Sequence, residues 1–331
     1  MRPFTYERPE SLDAATSRLG GLTDGQSVRP LAGGTDLLTL MKSDIVRPET
    51  LIDIKRVAEL DDRIETTSDG TTIGALATLS QLEHDSIILG SFPALASAAS
   101  QAATPQLRNM ATIGGNVLQR PRCWYFRDKD ISCWLKGGDS CPARDGENTH
   151  HAIFQESPCV AVHPSDAAAA LIALNARVRI RSAVGGRTVP IEDFFTLPTD
   201  DHRRENVLGP DELIIGFTLP APEAGSRSVY LKAMDRKAWA FALVGVAVSV
   251  TVRDGTISDA RIVLGGVAPI PRRVTRVEQE LRGAVPDSSL FHRMATLALE
   301  DAQPLRRNAY KVDLARTMIE RALSTAAVPA A

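Results

Sequence analysis

Four cysteines confined to one short segment constrain this chain more than any other feature of its sequence. Cys123, Cys133, Cys141 and Cys159 fall within 37 of the 331 residues, in the pattern C-x9-C-x7-C-x17-C. A thiolate is costly to bury unless something binds it, so clustered cysteines indicate a shared metal centre or disulfides. The surrounding segment, residues 119–163, has little periodicity and is rich in Gly, Pro and Asp. An irregular excursion of this length is unusual in a compact domain unless something ties it together.

The spacing of the cysteines bears on which centre they form. No C-x-x-C pair is present, which disfavours a zinc ribbon. An iron–sulfur cluster tolerates irregular spacing because its thiolates approach different irons. Disulfides are the default in secreted proteins, but the N-terminus lacks an apolar region followed by a cleavage site. All three centres stay open on spacing alone. Trp124 and Trp134 each follow a cysteine directly, and we expect them to limit solvent access to the centre or to serve as core for the loop.

Charge and composition narrow the classes of partner. The 38 basic and 40 acidic residues give a net charge of −2, so no field gathers nucleic acid or an anionic membrane. No apolar run approaches the roughly 18 residues of a membrane span. We therefore expect small molecules and proteins as partners, with no nucleic acid and no membrane insertion. With no secretory signal, the chain is expected in the cytoplasm, or in the periplasm by co-export with a partner that carries a twin-arginine signal.

The hydrophobic pattern predicts an α+β chain. Residues 28–31 and 51–54 are predicted strands, and a glycine turn and a helix over 36–42 join them into a βαβ unit. Strands and helices then alternate, apart from the cysteine-rich segment. The Pro- and Gly-containing stretch 220–225 resembles a domain boundary, and beyond it three predicted strands precede helices, of which 309–323 is the most periodic.

Two glycine pairs are candidates for holding phosphate. Ala32–Asp36 and Thr112–Asn116 each place two residues without a side chain before a helix start, where consecutive N–H groups can point at one anion. The second adds a hydroxyl and an amide. Neither is a G-x-G-x-x-G fingerprint or a Walker A loop, and a tight turn explains either one alone. Together they could bracket a pyrophosphate from both sides.

These motifs carry a family resemblance that covers essentially the whole chain. AGGTD, TIGGN, the HPSD helix cap at 163–166 and LGGVAP at 264–269 resemble the flavoprotein subunits of the xanthine dehydrogenase and carbon monoxide dehydrogenase family, the molybdenum hydroxylases. The resemblance implies a two-subdomain FAD-binding domain of the VAO/PCMH type over 1–223, with subdomains at about 1–58 and 59–223 and the insertion at 119–163. It further implies a C-terminal α+β domain over 226–331, with a three-stranded antiparallel sheet and helices.

Within that family, the cysteine-rich insertion is similar to one in the FAD-binding subunit of periplasmic aldehyde oxidoreductase, where a comparable segment holds a [4Fe-4S] cluster. The resemblance implies that the cluster ligands are Cys123, Cys133, Cys141 and Cys159. It implies FAD contacts at Ala32, Gly33, Gly34, Thr35, Asp36, Thr112, Gly114, Gly115, Asn116, Asp166 and Lys232. His150, His151 and His163 are expected to be loop or cap residues, because four thiolates already complete a cluster.

The implied function is electron transfer within a larger enzyme. A molybdopterin-binding large subunit would oxidise the substrate, a small [2Fe-2S] subunit would pass electrons to this FAD, and an external acceptor would receive them. No triad or paired carboxylates can be identified by spacing, so we expect no catalytic residues for hydrolysis or substrate oxidation here. Two alternatives stay open, namely a self-sufficient flavin oxidase and a non-redox module with structural zinc.

Overall fold

A three-stranded parallel sheet forms the N-terminal part, with the strand order β1-β3-β2. The computed structural model describes residues 1–20 and 27–327, so residues 21–26 and 328–331 of the predicted domains lie outside the described part. The elements are β1 (Thr5–Glu7), α1 (Leu12–Gly20), β2 (Val28–Leu31), α2 (Leu37–Lys42) and β3 (Thr50–Asp53). The predicted βαβ unit is confirmed, with helix and second strand shifted by one residue. The first glycine loop joins β2 to α2.

A five-stranded antiparallel sheet with the order β4-β5-β8-β6-β7 follows. Its strands are β4 (Ile64–Thr67), β5 (Gly70–Gly74), β6 (Arg177–Ser182), β7 (Gly185–Pro190) and β8 (Leu213–Leu219). The accompanying helices are α3 (Leu79–His84), α4 (Ser86–Ser91), α5 (Pro93–Ser100), α6 (Pro105–Arg108), α7 (Ile113–Val117), α9 (Asp166–Ala173) and α10 (Ile191–Phe194). Alanine-rich α5 and α9 bury most of their residues in one core with Ile73, Val178 and Phe217. The second glycine loop caps α7.

The cysteine-rich insertion has little regular structure, as its sequence predicts. Its regular elements are a single helical turn, α8 (Trp124–Arg127), and a 3-10 turn at Trp134–Lys136. The segment docks on the C-terminal part through backbone hydrogen bonds. The N–H groups of Ile153 and Phe154 both donate to the carbonyl of Val267, at 2.9 and 3.2 Å. Tertiary contacts rather than secondary structure therefore hold most of the insertion.

The C-terminal part is a four-stranded antiparallel sheet covered by helices. Its elements are β9 (Ser226–Ala233), β10 (Val244–Arg253), β11 (Thr256–Gly265), β12 (Arg272–Arg273), α11 (Thr275–Leu281), α12 (Ser288–Leu297) and α13 (Tyr310–Ala327), with the sheet order β12-β11-β10-β9. Three strands were predicted, and the fourth is a two-residue edge strand too short to produce a periodic signal. Val246, Phe291 and Ile319 lie in the core between sheet and helices. No helix among the described residues is long and apolar enough to cross a membrane.

Candidate functional site

The two glycine loops lie against each other. A Cβ atom placed on Gly33 would lie 1.8 Å from the carbonyl oxygen of Met110, which directly precedes the second loop. Gly34 has φ = +72°, a left-handed conformation that favours glycine. Both loops line one cavity of about 280 Å³ beside α2 and α7. The sequence therefore needs glycine here for a close approach and a positive φ, and the fold brings together two loops about 80 residues apart in the chain.

The first loop presents a run of backbone donors. Among the described residues, the N–H groups of Gly33, Gly34, Thr35 and Asp36 donate to no protein acceptor. These four residues line the cavity. Unpaired N–H groups are costly unless water or a ligand accepts from them, and consecutive ones form a concave anion site. The loop therefore fits a phosphate group by its own chemistry.

The second loop differs, because its backbone serves the fold. The N–H of Gly115 donates to the hydroxyl oxygen of Thr112 at 3.2 Å, and that of Gly114 donates to the carbonyl of Ala75 at 3.0 Å. The donors that this loop can offer to a ligand are therefore on its side chains. In the described part of the chain, neither the Thr112 hydroxyl hydrogen nor the Asn116 amide nitrogen has an acceptor, while the Asn116 Oδ1 accepts from the Ser165 hydroxyl at 2.6 Å.

Asp36 links the first loop to the start of the cysteine-rich insertion. Its carboxylate accepts from the backbone N–H of Arg120 at 2.9 Å, from Arg122 Nη1 at 2.7 Å and from Arg127 Nη2 at 2.8 Å. Burial lowers the pKa of Arg122 to about 10, against the opposing effect of Asp36. The Asp36 side chain is thus occupied by three arginines of the insertion. No local pattern in the sequence indicates this role.

A buried carboxylate, phenol and amine meet where the two main parts of the chain join. Asp166 accepts from Tyr230 Oη at 2.5 Å and from Lys232 Nζ at 2.7 Å, and Lys232 also donates to the carbonyl of Gln101. Burial raises the pKa of Asp166 and raises that of Tyr230 well above its usual range. The two predicted residues therefore contact each other. Tyr230 was missed, although it shares a strand face with Lys232 two positions away.

The four cysteines converge in one apolar cluster with Leu40, Phe126, Trp134, Leu135 and Ala161. Cys133 and Cys159 are buried and Cys123 and Cys141 are half-buried, and none forms a disulfide. The Cys159 thiol donates a hydrogen bond that lowers the pKa of the Cys141 thiol to about 6. No group of three or more His, Cys, Asp or Glu among the described residues can hold a metal ion. The four cysteines therefore share one apolar cluster.

Burial raises the pKa of two of these thiols. It raises the pKa of Cys123 to about 11, and it also raises the pKa of Cys133. In the chain alone, Cys123 and Cys133 therefore hold their protons at neutral pH, whereas the hydrogen bond from Cys159 favours the thiolate of Cys141. A metal centre that binds them as thiolates would displace those protons, and its binding free energy would contribute to folding. A donor set of four thiolates is shared by iron–sulfur centres and structural zinc sites.

The two tryptophans of the insertion differ in their exposure to solvent. Trp134 is buried, donates from Nε1 to Asp200 at 3.1 Å, and lies under the Arg203 guanidinium at 4.7 Å. Trp124 is 57% exposed, so the expectation that both tryptophans limit solvent access is wrong for Trp124. The Trp134 side chain covers the sulfurs, and Trp124 faces solvent beside His150.

The three histidines near the insertion have different surroundings. His163 is fully buried against the edge of Phe195, and burial lowers its pKa to about 4. His150 lies beside Trp124, with ring centroids 6.2 Å apart. His151 is buried, and its Nε2 lies 3.2 Å from the sulfur of Cys123. Nothing in the sequence distinguishes His151 from its neighbour His150.

A second cavity, of about 310 Å³, adjoins both the cysteine-rich insertion and the Asp166 group. Cys123 and His151 of the insertion, Asp166 of α9, and Arg236 and Phe241 of the C-terminal part all line it. The insertion therefore reaches the same space as the Asp166 group. Arg236 follows β9 in the chain.

Comparison with known proteins covers nearly all of the chain. Residues 2–222 match the family model described as the FAD binding domain in molybdopterin dehydrogenase, and residues 229–326 match the CO dehydrogenase flavoprotein C-terminal domain. The aldehyde oxidoreductase FAD-binding subunit PaoB of Escherichia coli is 36% identical, over 98% of this chain and 99% of the relative. The carbon monoxide dehydrogenase medium chain of Hydrogenophaga pseudoflava is 32% identical, over 98% of this chain and 96% of the relative.

A solved structure agrees with these relatives. Carbon monoxide dehydrogenase from Hydrogenophaga pseudoflava, in a form that lacks the Mo-pyranopterin moiety of its cofactor, superposes with a TM-score of 0.78 at 29% identity, over 98% of this chain and 97% of that chain. The resemblance inferred from the glycine loops and the C-terminal motif is confirmed, and so is the predicted fold class.

Proposed function

This chain belongs to the FAD-binding subunits of the molybdenum hydroxylases, an oxidoreductase family, and we propose that it transfers electrons using both FAD and a [4Fe-4S] cluster. The proposed complex is an aldehyde oxidoreductase or xanthine dehydrogenase type of hydroxylase. A molybdopterin-binding large subunit and a [2Fe-2S] small subunit are the proposed partners. We also propose a domain boundary at 220–225, and the position of this stretch between β8 and β9 supports it. We propose assembly in the cytoplasm, before any co-export with a partner that carries a twin-arginine signal.

The residues fit FAD as a ligand. The unpaired N–H groups from Gly33 to Asp36 would bind its diphosphate from one side, and the Thr112 hydroxyl would donate from the other. Asn116, which does not line this cavity, is proposed as a further contact through its amide. Asp166 and Lys232 are proposed as further contacts, because Asp166 lines the second cavity and Lys232 fixes its carboxylate. When bound, FAD supplies a ring that takes up and releases electrons singly or in pairs.

The cysteines fit a cluster better than a single ion. Four thiols in one apolar group would ligate [4Fe-4S], in which each iron takes a separate thiolate, so the four sulfurs lie farther apart than the four donors around a single ion. This is the argument against the structural-zinc alternative, since tetrahedral zinc requires four donors around one ion. The Trp134 ring excludes water from this group, and surroundings of that kind tune the potential of a cluster.

One observation carries the electron-transfer proposal, namely the cavity shared by the two sites. Cys123, a proposed cluster ligand, and Asp166, a proposed FAD contact, line the same cavity of about 310 Å³. No arrangement for substrate oxidation was identified along the sequence. A protein that holds two redox groups on either side of one cavity is built to exchange electrons between them.

Reduction by substrate tests this function. We expect an aldehyde, added anaerobically, to bleach the flavin absorbance of the complex with the molybdopterin and [2Fe-2S] subunits, and to leave the isolated chain unchanged. Complex assembled without molybdenum is the control. Turnover of aldehyde by the isolated, molybdenum-free chain would favour the self-sufficient flavin oxidase.

Cysteine substitution tests the cluster. Cys123→Ser or Cys159→Ser should lose iron and make residues 119–163 sensitive to protease, because metal binding contributes folding free energy to the segment. Ser140→Ala, next to Cys141, is the matched control and should keep its iron. Iron that stays bound after both cysteine substitutions would contradict the ligand assignment.

A further inference from the structure

His151 has a contact that the proposed function does not use. Its Nε2 lies 3.2 Å from the Cys123 sulfur, within hydrogen-bond distance, and its side chain is 3% exposed. A metal-bound thiolate carries no proton, so in such a pair only the imidazole can donate. The proton would then sit on Nε2. The Nδ1 atom, which would be unprotonated, is buried and has no hydrogen-bond partner among the described residues.

The C-terminal part of the chain fixes the backbone of His151. The carbonyl of His151 accepts from Asn308 Nδ2 at 3.0 Å and from Lys311 Nζ at 3.1 Å. Lys311 is fully buried, and it also donates to the carbonyls of His150 and Gly266. The backbone N–H of His151 donates to the carbonyl of Asn148 at 3.0 Å. The backbone around His151 is therefore anchored from both sides.

We propose that His151 is a positioning residue that sets the reduction potential of the cluster by donating a hydrogen bond to the Cys123 thiolate. This inference rests on the proposed [4Fe-4S] site. A hydrogen bond to a ligand sulfur draws electron density from the cluster and stabilises its reduced, more negative state. Removal of the donor makes the cluster harder to reduce. A tenfold change in the one-electron equilibrium corresponds to ~59 mV.

His150 offers a matched control for this effect. It has the same side chain one position away, but it lies beside the exposed Trp124 ring and has no sulfur contact among the described residues. His150→Phe therefore changes a histidine of the same loop without removing a hydrogen bond to the cluster.

The test is a redox titration of the full chain, purified anaerobically and followed by the electron paramagnetic resonance signal of the reduced cluster. We expect His151→Phe to be about tenfold harder to reduce, a midpoint ~59 mV more negative, and His150→Phe to match the wild type. A His151→Phe cluster with the wild-type potential would overturn the proposal. An iron-free wild-type chain would instead refute the cluster itself, so the two failures are distinguishable.

A measurement on the wild type keeps the proposal testable if His151→Phe fails to assemble a cluster. Chain grown with ¹⁵N-labelled histidine should show an altered nitrogen coupling in the pulsed paramagnetic resonance spectrum of the reduced cluster, because a hydrogen bond to sulfur delocalises spin onto the donor. A spectrum without any histidine nitrogen coupling would overturn the assignment.

Discussion

Replacing Asp36 with Asn tests the link between the first glycine loop and the insertion. The carboxylate accepts two arginine hydrogen bonds and one from the backbone N–H of Arg120, and its side chain is 15% exposed. Hydrogen bonds to charged groups contribute ~1.5–3 kcal/mol each. Asn keeps one oxygen acceptor but loses the charge, so we expect the first turn of the insertion to open ~2 kcal/mol more easily.

Hydrogen–deuterium exchange of the peptide covering residues 119–128 measures this local opening directly. At ~1.36 kcal/mol per tenfold change, a loss of ~2 kcal/mol makes exchange about 30 times faster. Local exchange suits the question because proteins with bound cofactors depart from two-state unfolding.

A matched control is available at Asp44. It also pairs with two arginines, Arg47 at 2.8 Å and Arg2 at 3.8 Å, but its partners are about half exposed or more. Exposed pairs contribute ~0–1 kcal/mol, and Asn tolerates the left-handed φ of this position. Asp44→Asn should leave exchange at 119–128 unchanged. Equal exchange in Asp36→Asn and wild type would refute the anchoring role of Asp36.

Three further predictions concern single side chains. Gly115→Ala places a Cβ 3.1 Å from the Thr112 hydroxyl, so we expect FAD affinity, measured by flavin fluorescence quenching, to fall at least about tenfold. Lys311→Met removes a donor from three carbonyls, and those of His150 and Gly266 keep no other donor among the described residues, at ~1–3 kcal/mol each, so the melting temperature should fall by several degrees. The pKa of His163 is about 4, so below pH 6.5 the unfolded chain takes up a proton that the native chain refuses. Stability should fall by ~3 kcal/mol between pH 6.5 and 4, a loss that His163→Gln removes when melting temperature is followed against pH.

Each of these has a control or a contradicting result. Gly90→Ala meets no atom within 4 Å and should keep full flavin affinity. Lys42 is exposed, so Lys42→Met should leave the melting temperature unchanged, and an equal effect of both lysine substitutions would contradict the role of Lys311. Identical acid profiles for His163→Gln and wild type would show that another group governs acid stability.

Much of the fold follows from local patterns. The strand Val28–Leu31 has the predicted bounds, because it combines a clear period with flanking turn residues. β1, β4 and β7 were not predicted. β7 begins with two glycines and carries little apolar alternation, and β1 is three residues long. Pairing with neighbouring strands, rather than intrinsic preference, defines these elements.

Site residues could be predicted where they lie close together in the sequence. They could not be predicted where their partners lie far away in the sequence. Clustered cysteines and paired glycines are visible in the sequence, and the structure brings each set together. Asp36 accepts hydrogen bonds from residues of the insertion that lie 84 and 91 positions away in the chain. Lys311 donates to carbonyls up to 161 positions away. No local pattern encodes such pairs. His151 and His150 likewise differ only in what the folded loop places beside them.

Metal and sulfide analysis of the anaerobically purified full chain tests the central claim most directly. The account predicts about four irons and four acid-labile sulfides per chain, together with one FAD and little zinc. Stoichiometric zinc, or cysteines found as disulfides, would contradict the cluster and leave only the flavin half of the account.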